Sequence, residues 1–117
     1  MIKVILTPAF NHALKQLHKR YPHILQDIEP LIVQLENGET PGDRIQGLSY
    51  RVYKVRLKNR DSQRGKSGGY RTVYYVESAE KVAVVTIYSK SDQSDIPLDV
   101  LRQIIAEYAA QPPRSNE

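Results

Sequence analysis

The stretch Leu48-Ser49-Tyr50-Arg51-Val52-Tyr53-Lys54-Val55-Arg56-Leu57-Lys58 decides the fold. Tyr53, Val55 and Leu57 alternate with Lys54, Arg56 and Lys58, the period of two of a strand with one packed face and one wet face. The three cations, at i, i+2 and i+4, then stand on one face about 7 Å apart. Downstream, Tyr70-Arg71-Thr72-Val73-Tyr74-Tyr75-Val76 is rich in strand formers. Asn59 to Gly69, polar and containing glycine, joins the two runs as a hairpin with a long tip. Arg71 opens the partner strand and lies beside the cationic row, which makes a cationic floor.

Working outward, Val82-Ala83-Val84-Val85-Thr86-Ile87-Tyr88 is a nearly continuous apolar strand, suited to the centre of a sheet or to a position under a helix. Upstream, Ile2 to Leu6 reads as a short strand. Thr7-Pro8 then supplies an N-cap and a proline at the first helical position. Phe10, Ala13, Leu14, Leu17 and Tyr21 form the stripe of an amphipathic helix, and Pro22 ends or redirects it. A second stripe, Ile24, Ile28, Leu31, Ile32 and Leu35, leads to the C-terminal cap Asn37-Gly38; Pro30 inside it predicts either a kink or a helix regular only from there. Gly38 to Gly47 reads as a loop. Pro97 to Tyr108, with Leu101, Ile104 and Ile105, reads as the last helix. The order β-α-α-β-β-β-α predicts an α+β fold, a mainly antiparallel twisted sheet with helices packed on one face. Residues 1–110 form a single domain, and 111–117 are expected to be a disordered tail.

Composition narrows the function. The 117 residues contain no cysteine, which removes disulfides, a thiolate nucleophile and thiolate-bearing metal sites. No run approaches the roughly 18 apolar residues of a membrane span, and the first residues turn polar too early for a signal peptide, so a cytoplasmic location is expected. The net charge of +4 is unevenly spread. Arg44 to Arg71 holds nine basic residues against Asp61 alone, net +8, and the rest holds eight basic against twelve acidic, net −4. A basic segment in an otherwise acidic domain fits a polyanion held through its phosphates; a solvated hairpin is the plainer alternative.

The other chemistry-bearing residues weigh less. Gly65-Lys66-Ser67 resembles a phosphate loop, but Arg60 stands where that motif requires glycine. His12, His18 and His23 match no metal spacing and read as surface histidines. A two-metal nuclease needs clustered carboxylates that Asp61 alone does not supply. Of Tyr50, Tyr53, Tyr70, Tyr74 and Tyr75, beside the basic segment, at least three are expected to pack in the core, with base stacking open to the others. Tyr88, at a strand end followed by Ser89-Lys90-Ser91, suits a site residue or a plain strand exit.

The order of elements, together with Tyr53 to Lys58, Arg64-Gly65-Lys66-Ser67-Gly68-Gly69-Tyr70-Arg71 and Thr86-Ile87-Tyr88-Ser89-Lys90-Ser91, resembles the RelE/ParE superfamily of bacterial toxins, most of all its HigB-like branch. The resemblance covers roughly residues 1–110. It implies a toxin that enters the ribosomal A site and cuts mRNA, with no cofactor and no metal, held inactive by a cognate antitoxin protein; the implied partners are antitoxin, ribosome and mRNA, with no membrane. By position it implies catalytic roles for Lys54, Arg56 and Arg71, with Lys66 and Lys90 completing the set, and RNA binding by Arg51, Lys58, Arg60, Arg64 and Tyr88. The chemistry it implies is attack of a ribose 2′-hydroxyl on the adjacent phosphate, with Lys54 or a nearby base easing deprotonation. Arg56 and Arg71 would stabilise the phosphorane charge. Ile96-Pro97 stands where RelE-type members carry a tyrosine before the last helix. The alternatives are a ParE-like gyrase inhibitor, disfavoured by Lys54, Arg56 and Arg71, and an inactive RNA-binding relative.

Overall fold

A computed structural model describes residues 1–62 and 69–110. Along the chain run β1 (Lys3–Leu6), α1 (Pro8–His18), α2 (Ile24–Glu36), β2 (Asp43–Arg44), β3 (Val52–Leu57), β4 (Tyr70–Ser78), β5 (Lys81–Ser89) and α3 (Leu98–Ala110). The strands form one sheet of order β1-β5-β4-β3-β2, antiparallel except where β1 runs parallel to β5. The α+β fold expected from the sequence is the one observed. The tip residues 63–68 and the tail 111–117, expected to be a basic loop and a disordered end, lie outside the described residues.

Sheet parity sorts the side chains. Cross-strand partners share a face, so the register Tyr53↔Tyr74, Val55↔Thr72 and Leu57↔Tyr70 assembles one face, and Val52↔Tyr75, Lys54↔Val73 and Arg56↔Arg71 the other. The first face packs on α1 and α2: Phe10, Leu17, Ile24, Ile28, Leu31 and Leu35 meet Val55, Tyr70, Tyr74, Val82, Val84 and Ile87. Burying those helical stripes is what holds α1 and α2 as helices, since segments this short are marginal alone. Thr7 fixes the start of α1, its Oγ1 accepting from Phe10 N–H at 3.1 Å while donating to Val85 O at 2.8 Å. Helix α2 runs through Pro30 without a break in the assigned helix. Of the two outcomes offered for Pro30, a helix beginning only near it is thus not observed.

The expectation of helices on one face holds for α1 and α2 but not for α3. Leu101 and Ile105 of α3 pack with Val52, Val73 and Val85, on the face that carries Lys54 and Arg56. Helical spacing shows that α3 is amphipathic but is silent about which sheet face it covers. A bulge in β5 helps to fill that cluster: Val73 pairs with Thr86 and Tyr74 with Val84, leaving Val85 as the extra residue. The supposed loop from Gly38 to Gly47 contains β2, too short to show a period. Gly42, at φ +90°, passes so close to β3 that a Cβ would come within 2.4 Å of Lys54 O.

All five tyrosines near the basic segment make packing contacts. Tyr53 stacks on Tyr74 at 5.3 Å, Tyr50 meets Tyr75 edge-on at 5.4 Å, and Tyr70 meets Tyr21 at 5.7 Å.

Candidate nucleic-acid interface and active site

Because α3 covers only one end of its sheet face, the other end stays open. There β3, β4 and β5 present a transverse row, Arg56↔Arg71↔Tyr88, with Lys54 two residues along β3 from Arg56. Lys54, Arg56 and Arg71, together with Lys90 and Asp95, line a cleft of about 500 Å³, whose far wall is β2 and the turn after it; Tyr88 lies beside it, bonded to Asp95. Gly69 allows the strands to close here: a Cβ on it would lie 2.4 Å from Leu57 O, so only glycine lets β4 begin in this register.

The electrostatics of the row are unusual for a sheet. Two arginines, Arg56 and Arg71, are direct cross-strand partners, and like charges so paired cost stability. Arg71 is 7% exposed, and its Nη1 donates to Tyr70 O at 3.2 Å. Among the described residues neither Arg56 nor Arg71 has an acidic ion-pair partner. A largely buried cation without an anion is costly, and it is retained where an incoming anion supplies the missing charge.

Lys54 does have a partner. Its Nζ donates to Asp95 Oδ1 at 3.0 Å, and Tyr88 OH donates to the same oxygen at 3.3 Å. Lys54 foremost, then the Ile96 N–H, holds the Asp95 carboxyl below the usual carboxylate range. Burial, and then Asp95, pushes the Tyr88 phenol up to about 12, so it stands as a neutral hydroxyl. Lys90 Nζ donates to Ser94 O at 3.0 Å, pinning the loop that carries Asp95.

The structure thus brings together five residues singled out in the sequence, Lys54, Arg56, Arg71, Tyr88 and Lys90. Arg64 and Lys66 lie outside the described residues. Lys58 is exposed just past the end of β3. Arg60 is drawn away to α2, its Nε donating to Asp27 Oδ1 at 2.8 Å. Arg51 lies on the opposite face, with Nε donating to Tyr53 OH at 3.2 Å and its guanidinium 5.7 Å from that ring. Parity already carried the signal for Arg51, an odd-numbered position like Tyr53.

Two carboxylates of the cleft, Asp43 and Asp95, were missed by the sequence reading, which found only Asp61 among the cations. Asp61 instead holds the N-terminus of α2, accepting from His23 N–H at 2.8 Å and pairing with His23 Nδ1 at 2.7 Å. Among the described residues no group of three or more histidine, aspartate or glutamate side chains is arranged to hold a metal ion. None of the described helices is long and apolar enough to cross a membrane.

A strand-borne cationic cleft on an α+β domain, floored by a buried Arg71 and an exposed Arg56 that lack acidic partners among the described residues, has the charge pattern that suits phosphate-bearing polymers. Residues 26–111, which include every element of the cleft, match the family model described as the RelE toxin of the RelE / RelB toxin–antitoxin system, and the chain belongs to that family. It is therefore the toxin of a toxin–antitoxin system, with a cognate antitoxin as partner, in a family whose toxins are generally translation-inhibiting ribonucleases. No curated protein sequence matches the chain.

Proposed function

We propose that this toxin is a ribosome-dependent mRNA endonuclease of the HigB-like branch, cutting message in the A site. The observation that carries the reading is the opposed pair Arg56 and Arg71, at the floor of an open cleft without an acidic partner among the described residues. In the proposed reaction a ribose 2′-oxygen attacks the adjacent phosphorus and loses its proton. The bond to the 5′-oxygen breaks and that oxygen takes up a proton, leaving a 2′,3′-cyclic phosphate and a 5′-hydroxyl. Arg56 and Arg71 bind the non-bridging oxygens, where negative charge grows in the transition state, so their interaction strengthens along the reaction. The positive charge of Lys54 eases loss of the 2′-proton to solvent, and the Lys54 ammonium or the Tyr88 hydroxyl gives the 5′-oxygen its proton. No step requires a metal or a cofactor.

Primer extension on a defined mRNA in a reconstituted translation reaction, with and without ribosomes, tests this. Cuts are expected only with ribosomes, and Arg71→Ala is expected to slow them by about 10²–10³-fold, the loss seen when one preorganised donor to a developing oxyanion is removed. Intact message in every lane overturns the reading and turns attention to gyrase, through a supercoiling assay. Full cutting by folded Arg71→Ala removes Arg71 from the role given to it.

A further inference from the structure

Asp95 is one of two carboxylates, with Asp43, in a cleft whose floor is cationic. Its Oδ1 accepts from three donors, Lys54 Nζ at 3.0 Å, Tyr88 OH at 3.3 Å and Ile96 N–H at 2.9 Å. The backbone around it is fixed from both sides. Gln93 Nε2 donates to Asp95 O at 2.9 Å, and Ile96, which follows, packs against the cluster under α3. The carboxylate is therefore set in place by the segment leading into α3, while the lysine it holds projects from β3.

We propose that Asp95 is a positioning residue for the reaction: it holds the Lys54 ammonium and the Tyr88 hydroxyl in the free toxin and yields Lys54 to the RNA phosphate. This rests on the nuclease reading given above. The geometry assigns the holding role because a flexible lysine stem has many rotamers, and one charge-assisted bond to a rigid acceptor selects among them. Tyr88 is 6% exposed and has little freedom of its own, so the shared acceptor sets the direction of its O–H. The yielding role follows from exposure. The side chain of Asp95 is 63% exposed and that of Lys54 33%, so the pair is solvated and weak, and a phosphate arriving between Lys54 and the arginines displaces it. Asp95 thus lowers affinity for RNA by competing for Lys54, while its bond to the Tyr88 hydroxyl, kept when RNA binds, holds that donor in place and raises the rate at which bound RNA is cut.

That opposition is the test. Asp95→Asn keeps an oxygen for the Ile96 N–H and removes the charge. The probe is a message carrying a 2′-deoxyribose at the cut position, bound to ribosomes and toxin, alongside single-turnover cleavage of the normal message. The variant is expected to bind the uncleavable message several-fold more tightly and to cut the normal one at least tenfold more slowly. Asp95→Glu, which keeps the charge but shifts the acceptor by a methylene, is expected to bind like wild type and cut more slowly. Cleavage by Asp95→Asn at the wild-type rate overturns the assignment, as does affinity that stays level or falls together with the rate, the pattern of a merely structural residue. Wild-type toxin that leaves the message whole in the same reaction overturns the nuclease reading and the Asp95 role together. Wild type that cuts while Asp95→Asn cuts equally well overturns the Asp95 role alone.

Discussion

The two ends of one sheet face obey opposite rules. Under α3, Val52, Val73 and Val85 meet Leu101 and Ile105 in a dry contact. A few residues along the same strands, Lys54, Arg56 and Arg71 line an open cleft, with Tyr88 beside them. The dry end lowers the free energy of the fold, whereas the wet end raises it by facing arginine with arginine and half-burying charge. Stability and the proposed chemistry thus fall on adjacent segments of β3 and β4, and substitutions should separate them.

The largest effect is expected at the dry end. Ile105→Ala removes a fully buried side chain and should cost about 2–5 kcal/mol in chemical denaturation. The molecules still folded should cut at the wild-type rate; a matching loss of turnover would mean that the ends are coupled. At the wet end, Arg71→Ala should raise the cleavage barrier by about 3–4 kcal/mol without a comparable loss of stability. Smaller and opposite in sign is Arg56→Gln, which relieves the cross-strand repulsion and should stabilise the fold by about 0.2–1 kcal/mol while slowing cleavage. Thermal melts that show no gain would mean that solvent already screens the pair.

The smallest effect belongs to Asp61, away from both ends. Its carboxyl lies below its usual range, chiefly through the His23 hydrogen bond. A depressed carboxylate pKa gives stability that is complete above the unfolded-state value and is lost as pH falls through the folded one. Acid denaturation of Asp61→Asn should therefore begin from a lower stability near neutral pH and converge on wild type at the acid extreme. Parallel curves throughout would contradict the linkage.

The same contrast governs what the sequence made legible. The dry elements announced themselves, because burial imposes a period: Tyr53, Val55 and Leu57 marked β3, and the stripe from Phe10 to Leu17 marked α1. Lys54 and Arg56 were found through that same period and Arg71 through the partner strand of the hairpin, and the three do converge. Asp95 was not legible, since Ser91 to Asp95 is a polar run whose partners are set by where α3 docks. The two-residue β2 has no room for a pattern, so the far wall of the cleft was read as loop. Arg60 was expected to bind RNA, and only the nearness of Asp27 on α2 shows where it goes.

The parallel pairing of β1 with β5 sets the timing of assembly. Lys3 to Leu6 wait for Lys81 to Val84, and Thr7 reaches its acceptor Val85 only 78 residues further along the chain. Such distant pairing makes folding slow relative to its local contacts. During synthesis β1 is without its sheet neighbour until most of the polypeptide has been made. The floor of the cleft needs β4 and β5 as well as β3. A growing chain of this toxin consequently carries no finished cleft near the ribosome that is making it, and the cationic floor is completed last, with the closing of the sheet.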